Sequence, residues 1–442
     1  MDKTINAIKE ETPPSIKYVI IGGGLMGILT SYYLSENIQN KIVVLEKEEE
    51  VSEGASYANA GLLCPTLSYS IASPKLYRYF IYNILSGKIG MNQWFSKSFW
   101  KWFYYFTKCT LQNKKQESKK NLIHHKLCSY SLCCLQNIID KEGLHDITPL
   151  RSGLITTYNS KLNFDFNKHN LEIYNNRTGY PYSVFTQKQT ETLLKPFSIV
   201  DCIGSIHSNK DKIGDARNFA LQLKEKCIER GVQFVHNAKV TGFKHSTKKV
   251  YRVHTEKGSF AADFFILCAG VYTPILSALL GVYVPIIPMK GYSITYHYKK
   301  LPKLPMYDIK TKTPYTIQDS KNSVGIIQFG QSIRIAGVAD LFGYNYAIPK
   351  SRAEFLHSVF NSYFPNKTYT NYTEWTGLRP LTPDSLPIIG KLHPFTNVFV
   401  NAGHGMFGWT MCAGSSKILT DKIEGRLPKM FTIFFDLNRF NR

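Results

Sequence analysis

Apolar and polar positions along the chain fall into blocks with different periods. Tyr18-Val-Ile-Ile21 is a continuous β-rich apolar run that breaks at the glycines from Gly22 to Gly27. Apolar residues then continue to about Leu34, and Ile42-Val-Val-Leu45 is a second short apolar run that ends on Glu46. The pattern predicts strand, glycine turn, helix, strand. The run from Tyr18 to Leu34 is about 17 residues long and holds four glycines, which a nucleotide-binding turn explains better than a membrane span.

Further along, Leu127 to Gly143 reads as a helix ending on glycine, and residues 150–204 alternate short strand-like runs with polar turns. Ile213-Gly-Asp-Ala-Arg217 opens a helix to about Arg230, closed by Gly231, with a strand at Val232 to Val235. A β-meander over 239–263 runs into Phe264-Phe-Ile-Leu-Cys-Ala-Gly270, a buried strand stopping on Ala269-Gly270, and a helix starts near Pro274. From Pro285 the texture is β-rich: Pro288 to Thr295, Ser323 to Phe329 and Ser332 to Val338. A helix from Ser351 to about Tyr363, a strand at Val398 to Asn401 and a last helix to about Ile423 complete the series.

At 442 residues the chain can hold two domains, and 43% hydrophobic residues is a globular composition. The net charge of +22 suits an acidic partner surface, a polyanion, or simply a bias toward Asn, Lys and Tyr. No nucleic-acid module accompanies the lysines, so nucleic acid is not expected as a partner. Nine cysteines, an odd number without a C-x-x-C pair, imply an intracellular, reducing compartment and no metal site. Residues 1–15 are mixed in charge, contain Pro13-Pro14 and lack a signal-peptide pattern, so they read as a short disordered leader; no transmembrane helix is expected.

The glycine turn carries the clearest chemistry. Gly22 allows the tight turn, Gly24 lets the backbone approach a pyrophosphate, and Gly27 lets helix and strand pack closely. The helix N-terminus then faces the phosphates, and Glu46, 19 residues past Gly27, can accept both hydroxyls of an adenosine ribose. Gly23, Leu25, Met26 and Lys47 complete this cradle. The acid at 46 disfavours a 2′-phosphate and leaves FAD and NAD open. Ala60 and Gly61 lie in a run of small residues, Gly54 to Gly61, that lets a backbone lie close to a ligand. Val240, Ala269 and Gly270 supply a further approach, and Gly405, Met406, Phe407 and Gly408 stand at the start of the last helix, where free N–H groups point at something electron-rich.

Residues 76–126 are aromatic and basic; positions 97–126 contain eight lysines and one acid, Glu117. Such a stretch suits a core helix followed by a solvated lysine face, with peripheral contact with an anionic membrane as the alternative.

The Gly22 to Glu46 unit, Ser56-Tyr-Ala-Asn-Ala-Gly61, Lys290-Gly-Tyr-Ser293, Thr376-Gly-Leu-Arg-Pro-Leu-Thr-Pro-Asp384, Pro387-Ile-Ile-Gly390 and Gly403-His-Gly-Met-Phe-Gly-Trp-Thr410 together resemble the FAD-dependent D-amino-acid oxidase superfamily, and most closely its D-amino-acid dehydrogenase branch. The resemblance spans roughly residues 17–425 and implies an α/β (α+β overall) architecture. That is a Rossmann-like FAD-binding domain, interrupted in sequence, with an inserted mixed β-sheet substrate domain. The boundaries that follow are 16–70, 205–285 and 372–430 for FAD, 71–204 and 286–371 for a substrate or cap domain, and a tail at 431–442.

The same resemblance implies FAD held without a covalent bond, since Leu381 stands where some relatives carry a tethering cysteine. It places a substrate carboxylate on Arg379, which fits a guanidinium fork, although a structural ion pair would also explain that arginine. Tyr292 is a candidate hydroxyl donor or a packed strand residue, and His404 a candidate base or a turn-shaping residue. The implied reaction is hydride transfer from Cα of a small amino acid to flavin N5, the imino acid then hydrolysing to a 2-oxo acid and ammonia. Quinone and O2 both stand as acceptors. The alternatives are a glycine, sarcosine or 2-hydroxy-acid oxidase, and a flavin-fold binding protein without turnover.

Overall fold

The computed structural model describes residues 16–112, 114–145, 150–194, 202–299, 316–365, 368–430 and 432–440. The leader expected at 1–15 lies outside them. Two sheets organise the chain. The first has six strands in the order Ile388–Lys391, Val398–Ala402, Phe264–Leu267, Tyr18–Ile21, Ile42–Leu45, Gln233–Val235. Its pairings are parallel except for the antiparallel edge strand Ile388–Lys391.

The central strand explains the continuous apolar run. Tyr18 and Ile20 face one core, with the helices Leu25–Leu34, Lys114–Glu142, Ala216–Glu229 and Gly408–Ile423. Val19 and Ile21 face another, completed by Val250 and Val253 of the three-stranded meander and by Leu276 and Leu280. A strand covered on both faces needs apolar residues at every position.

The second sheet is mixed and nine-stranded. Its order is Asn371–Leu381, Ile287–His297, Ser332–Asp340, Val324–Phe329, Thr316–Asp319, Arg151–Tyr158, Gly204–Ile213, Leu62–Leu63, with Ser183–Thr186 also paired to Gly204–Ile213. Two of these strands depart from the expected boundaries. Gly204–Ile213 and Asn371–Leu381 begin segments assigned to the FAD-binding domain, yet their ladders lie in the large sheet. Asn371–Leu381 pairs along its full length with Ile287–His297, and this long-range ladder decides its membership.

Local expectations differ in three further places. The region 150–204 is not all strand and turn: Lys161–Thr178 is an 18-residue helix, closed by Gly179 at φ 63°. Its buried face includes Asn167 and Asn170 beside Leu171 and Tyr174, so polar residues occupy core-facing positions and blur the helical pattern. The helix expected from Leu127 begins at Lys114. Residues 432–440, expected as a tail, are docked: Phe435 and Phe440 are buried, and Arg439 Nε and Nη2 donate to Asp384 at 2.8 and 3.1 Å.

The aromatic segment forms the helices Pro74–Leu85 and Lys97–Thr110. Phe80, Phe99, Trp102 and Phe106 turn inward to pack on Ile287, Met289 and Leu381. Tyr82, Leu85, Trp94, Phe95, Trp100 and Tyr104 stay exposed. Among the described residues, no helix is long and apolar enough to cross a membrane, and no cluster of His, Cys, Asp or Glu suits a metal ion. All nine cysteines are unpaired.

Candidate active site

One continuous cavity of about 2170 Å³ runs from the glycine turn across the face of the large sheet. Three glycines shape its first end by different means. A Cβ on Gly22, whose φ is +112°, would lie 2.6 Å from the carbonyl oxygen of Cys268. A Cβ on Gly27 would lie 1.9 Å from the Gly22 carbonyl oxygen. Both positions exclude a side chain because backbone is already there. Gly24 has no atom within 4 Å of such a Cβ, and it caps the helix Leu25–Leu34 without any side-chain hydrogen bond. The helix N-terminus thus opens its amides onto the cavity, the setting that attracts a phosphate.

Glu46 closes this end. Its Oε2 accepts from Gly23 N at 2.6 Å and its Oε1 from Glu48 N at 3.0 Å. Burial pushes its carboxyl up from the ordinary value while these backbone donors pull it down. The two bonds fix the carboxylate edge, and each oxygen retains a lone pair for a ligand hydroxyl. Of the predicted cofactor residues, Gly22, Gly24, Leu25, Met26, Glu46, Lys47, Ala60, Gly61, Val240, Ala269, Gly270, Gly405, Met406, Phe407 and Gly408 line the cavity. Gly23 and Gly27 lie behind it, one positioning Glu46 and the other the helix. Lys47 Nζ contacts Glu48 and lies 4.7 Å from the ring centre of Tyr272.

At the other end Arg379, Tyr292 and His404 all line the cavity, and the structure gives each a different state. Arg379 Nη1 donates to the Val338 carbonyl at 2.9 Å, and the guanidinium has no carboxylate partner among the described residues. The ion-pair explanation is therefore absent from these residues. Burial pulls Arg379 down to about 10, which leaves it cationic at neutral pH.

Tyr292 differs from a free donor: its hydroxyl is given to Asp340 Oδ2 at 2.6 Å. Asp340 is in turn gripped by Arg352 through Nε at 2.9 Å and Nη2 at 2.6 Å. Burial and the Asp340 carboxylate both hold the phenol protonated. His404 Nε2 lies 2.9 Å from Ser415 Oγ inside the last helix. Burial alone pulls the imidazole down to about 3, so it is neutral and a weak base, and it ties the glycine turn to the helix behind it.

A family model described as FAD dependent oxidoreductase, the DAO family, matches residues 17–422. The chain belongs to this family. It is an FAD-dependent oxidoreductase, and its relatives agree in length. The D-amino acid dehydrogenase of Vibrio atlanticus is 28% identical over 436 residues, covering 96% of this chain and 100% of that one. The D-amino acid dehydrogenase of Granulibacter bethesdensis is 29% identical over 427 residues, with 94% and 97% covered. Among solved structures, glycine oxidase from Geobacillus kaustophilus superposes with a TM-score of 0.74 at 18% identity, over 96% of this chain and 98% of that one. L-Proline dehydrogenase from P. horikoshii gives 0.72 at 17% identity, over 98% and 99%.

The cavity of this FAD-dependent oxidoreductase fits the cofactor on its own terms. An uncapped helix N-terminus suits the pyrophosphate, Glu46 suits the ribose, and the open space over Gly24 admits both. The sequence left Asp340 and Arg352 unsuspected: they reach Tyr292 from a strand end and a helix far from it in the chain, and no local motif marks them.

Proposed function

We propose that the enzyme oxidises the C–N bond of a small α-amino acid, a D-amino acid foremost, to the imino acid, which hydrolyses to a 2-oxo acid and ammonia. Bound FAD, held without a covalent bond, supplies the hydride acceptor. The observation that carries this reading is Arg379, a half-buried guanidinium at the cavity wall without a carboxylate partner among the described residues. A guanidinium so placed binds a carboxylate through two parallel hydrogen bonds.

Arg379 would hold the substrate carboxylate and so aim the Cα–H toward the redox centre, a positioning role rather than an acid–base one. Tyr292 supports this arrangement through Asp340 and Arg352. His404 keeps the Gly403 to Gly408 turn in place, and the N-terminus of the helix Gly408–Ile423 favours negative charge beyond it. A neutral amine brings its own electron pair, so the site needs no strong protein base. The names of the relatives support the amino-acid and D-amino-acid reading.

Electrons leave by an acceptor that we place at a membrane. The exposed Phe95 (99%), Leu85 (76%) and Tyr104 (64%) lie among Lys88, Lys97, Lys101 and Lys108, and no acidic residue occurs between Glu53 and Glu117. That combination favours an anionic lipid surface, and a quinone dissolved in it would be within reach.

An anaerobic visible spectrum before and after D-amino acids, glycine, sarcosine and 2-hydroxy acids tests the reaction. Flavin bands bleached by D-amino acids support it. Bleaching by 2-hydroxy acids alone, or no bleaching with flavin bound, overturns it. Peroxide release in air would replace the membrane acceptor by O2.

A further inference from the structure

Arg379 fixes one end of a substrate, and the wall beside it decides which side chain fits. Two side chains converge there on one cross-strand pair of glycines. A Cβ on Gly291 would fall 2.3 Å from Nη2 of Arg379, and a Cβ on Gly377 would fall 2.2 Å from Cη2 of Trp375, with Cζ2 and Cζ3 at 2.7 and 3.0 Å. Gly291 and Gly377 stand directly opposite in the ladder, and Cβ positions in such a pair lie about 4.5–5.5 Å apart. The outer end of the indole and the guanidinium are therefore within about 10 Å of each other. Trp375, Gly377, Gly291 and Arg379 all line the cavity, and Trp375 is half-buried, so part of its ring is open to a ligand.

The indole is held in place from behind. Its ring stacks on Tyr57, with centroids 6.3 Å apart and planes inclined by 25°, and the Arg217 guanidinium covers Tyr57 at 3.9 Å from the ring centre. Arg217 is paired in turn with Glu53 at 2.5 Å. Met289 stands opposite Arg379 in the ladder, and Ser293, opposite Trp375, pairs on its other side with Ala336. Met289, Ala336 and Val338 line the same cavity and add apolar surface to this wall. At about 2170 Å³ the cavity is more than twice the ~1,000 Å³ of a large single-ligand site, so a bulky substrate and the cofactor can share it. A carboxylate bonded to Arg379 at about 2.8 Å puts Cα and its side chain beside this wall.

We propose that Trp375 is the wall against which the substrate's side chain packs, so that the site prefers α-amino acids with a large apolar side chain, aromatic ones foremost, to those no larger than alanine. An aromatic ring laid against a fixed indole gains both apolar burial and an offset or edge contact, whereas a methyl group offers little of either. This inference rests on the Arg379 reading and adds to it the chemistry of the side chain.

The test uses two carboxylic acids that differ only in the ring, 3-phenylpropionate and propionate, with Kd read from the perturbed flavin spectrum of the FAD-loaded enzyme, and kcat/KM for D-phenylalanine and D-alanine. Wild type is expected to favour the ring-bearing member of each pair by about 10-fold or more. Trp375→Ala should remove most of that preference, with propionate Kd and FAD Kd within about 3-fold of wild type, and Trp375→Phe should keep most of it. Trp375→Thr serves if the alanine variant loses FAD or folds poorly. No preference in the wild type, an unchanged preference in Trp375→Ala, equal losses for both acids, or tighter binding of 3-phenylpropionate once the indole is gone overturns the proposal. Arg379→Leu gives the separate check: it should weaken both acids alike, and unaltered Kd values there sink the Arg379 reading, whereas Trp375→Ala bears only on the ratio between them.

Discussion

The guanidinium of Arg379 lies flat over Gly291, its neighbour on the adjoining strand. A Cβ on Gly291 would fall 2.3 Å from Nη2 and 2.4 Å from Cζ of that side chain. The glycine is thus a seat for the arginine, and the motif pairing Lys290-Gly-Tyr with Gly-Leu-Arg-Pro acquires a physical reason. Gly291→Ala should leave the fold intact, because the displaced group is the tip of a long side chain. It should shift the guanidinium by about 1 Å, enough to raise the substrate KM on the order of 10- to 100-fold. Arg379→Leu should raise it by at least about 100-fold with FAD retained. Steady-state kinetics with flavin content as control decide both; an unchanged KM in Gly291→Ala removes the seat.

Gly24 and Gly27 should separate binding from folding. Gly27→Ala drives a methyl into the Gly22 carbonyl, where only backbone can yield, and should cost about 3 kcal/mol or more of stability. Gly24→Ala meets no protein atom, so the apoprotein Tm should barely move while FAD Kd rises at least about 10-fold. Melting curves of the apoproteins and FAD titration check this contrast. A Gly24→Ala protein that binds FAD normally would move the pyrophosphate elsewhere.

Asp211 should make stability depend on pH in a direction unusual for a carboxylate. It accepts from Tyr180 at 3.0 Å and from Thr66, and burial, outweighing these bonds, raises it to about 7 from 3.8. The folded state keeps the proton while the unfolded chain releases it above pH 4. Stability should therefore fall as pH rises from about 4 to about 7, by at most about 1.4 kcal/mol per pH unit, and level off above. Asp211→Asn should flatten that window. Denaturant melts at pH 4.5, 5.5, 6.5 and 7.5 read the difference; parallel curves for wild type and variant would show that Asp211 ionises freely.

The basic aromatic face should bind lipid. Wild type is expected to float with vesicles containing about one-third anionic lipid. The variant Phe95→Ser, Lys97→Glu, Lys101→Glu, Lys108→Glu should remain in the pellet fraction with its flavin intact, since each lysine near a charged surface is worth about 1 kcal/mol. Equal flotation of the two proteins would argue that this face stays in water.

What the sequence by itself determined was everything written in short-range pattern. The run Tyr18 to Glu46 specifies strand, turn and helix because Gly22 and Gly27 answer local steric demands, and the helices Ala216–Glu229, Lys350–Tyr363 and Gly408–Ile423 follow from periods within one segment, the first also from its Asp215 cap. The glycine turn that lines one end of the cavity was legible for the same reason. Tertiary structure decided what depends on pairing across the chain. Asn371–Leu381 joins the large sheet because an 11-residue ladder is available there, and the helix Lys161–Thr178 escaped the local pattern because Asn167 and Asn170 stand on its buried face beside Leu171 and Tyr174. Tyr292 lost its place as a free donor to Asp340, 48 residues on, and the aromatic stretch divided into a core face and an exposed face only once Met289 and Leu381 were beside it. A residue's type sets which hydrogen bonds and contacts it can make; which of them it makes depends on partners that only the packed fold brings within reach.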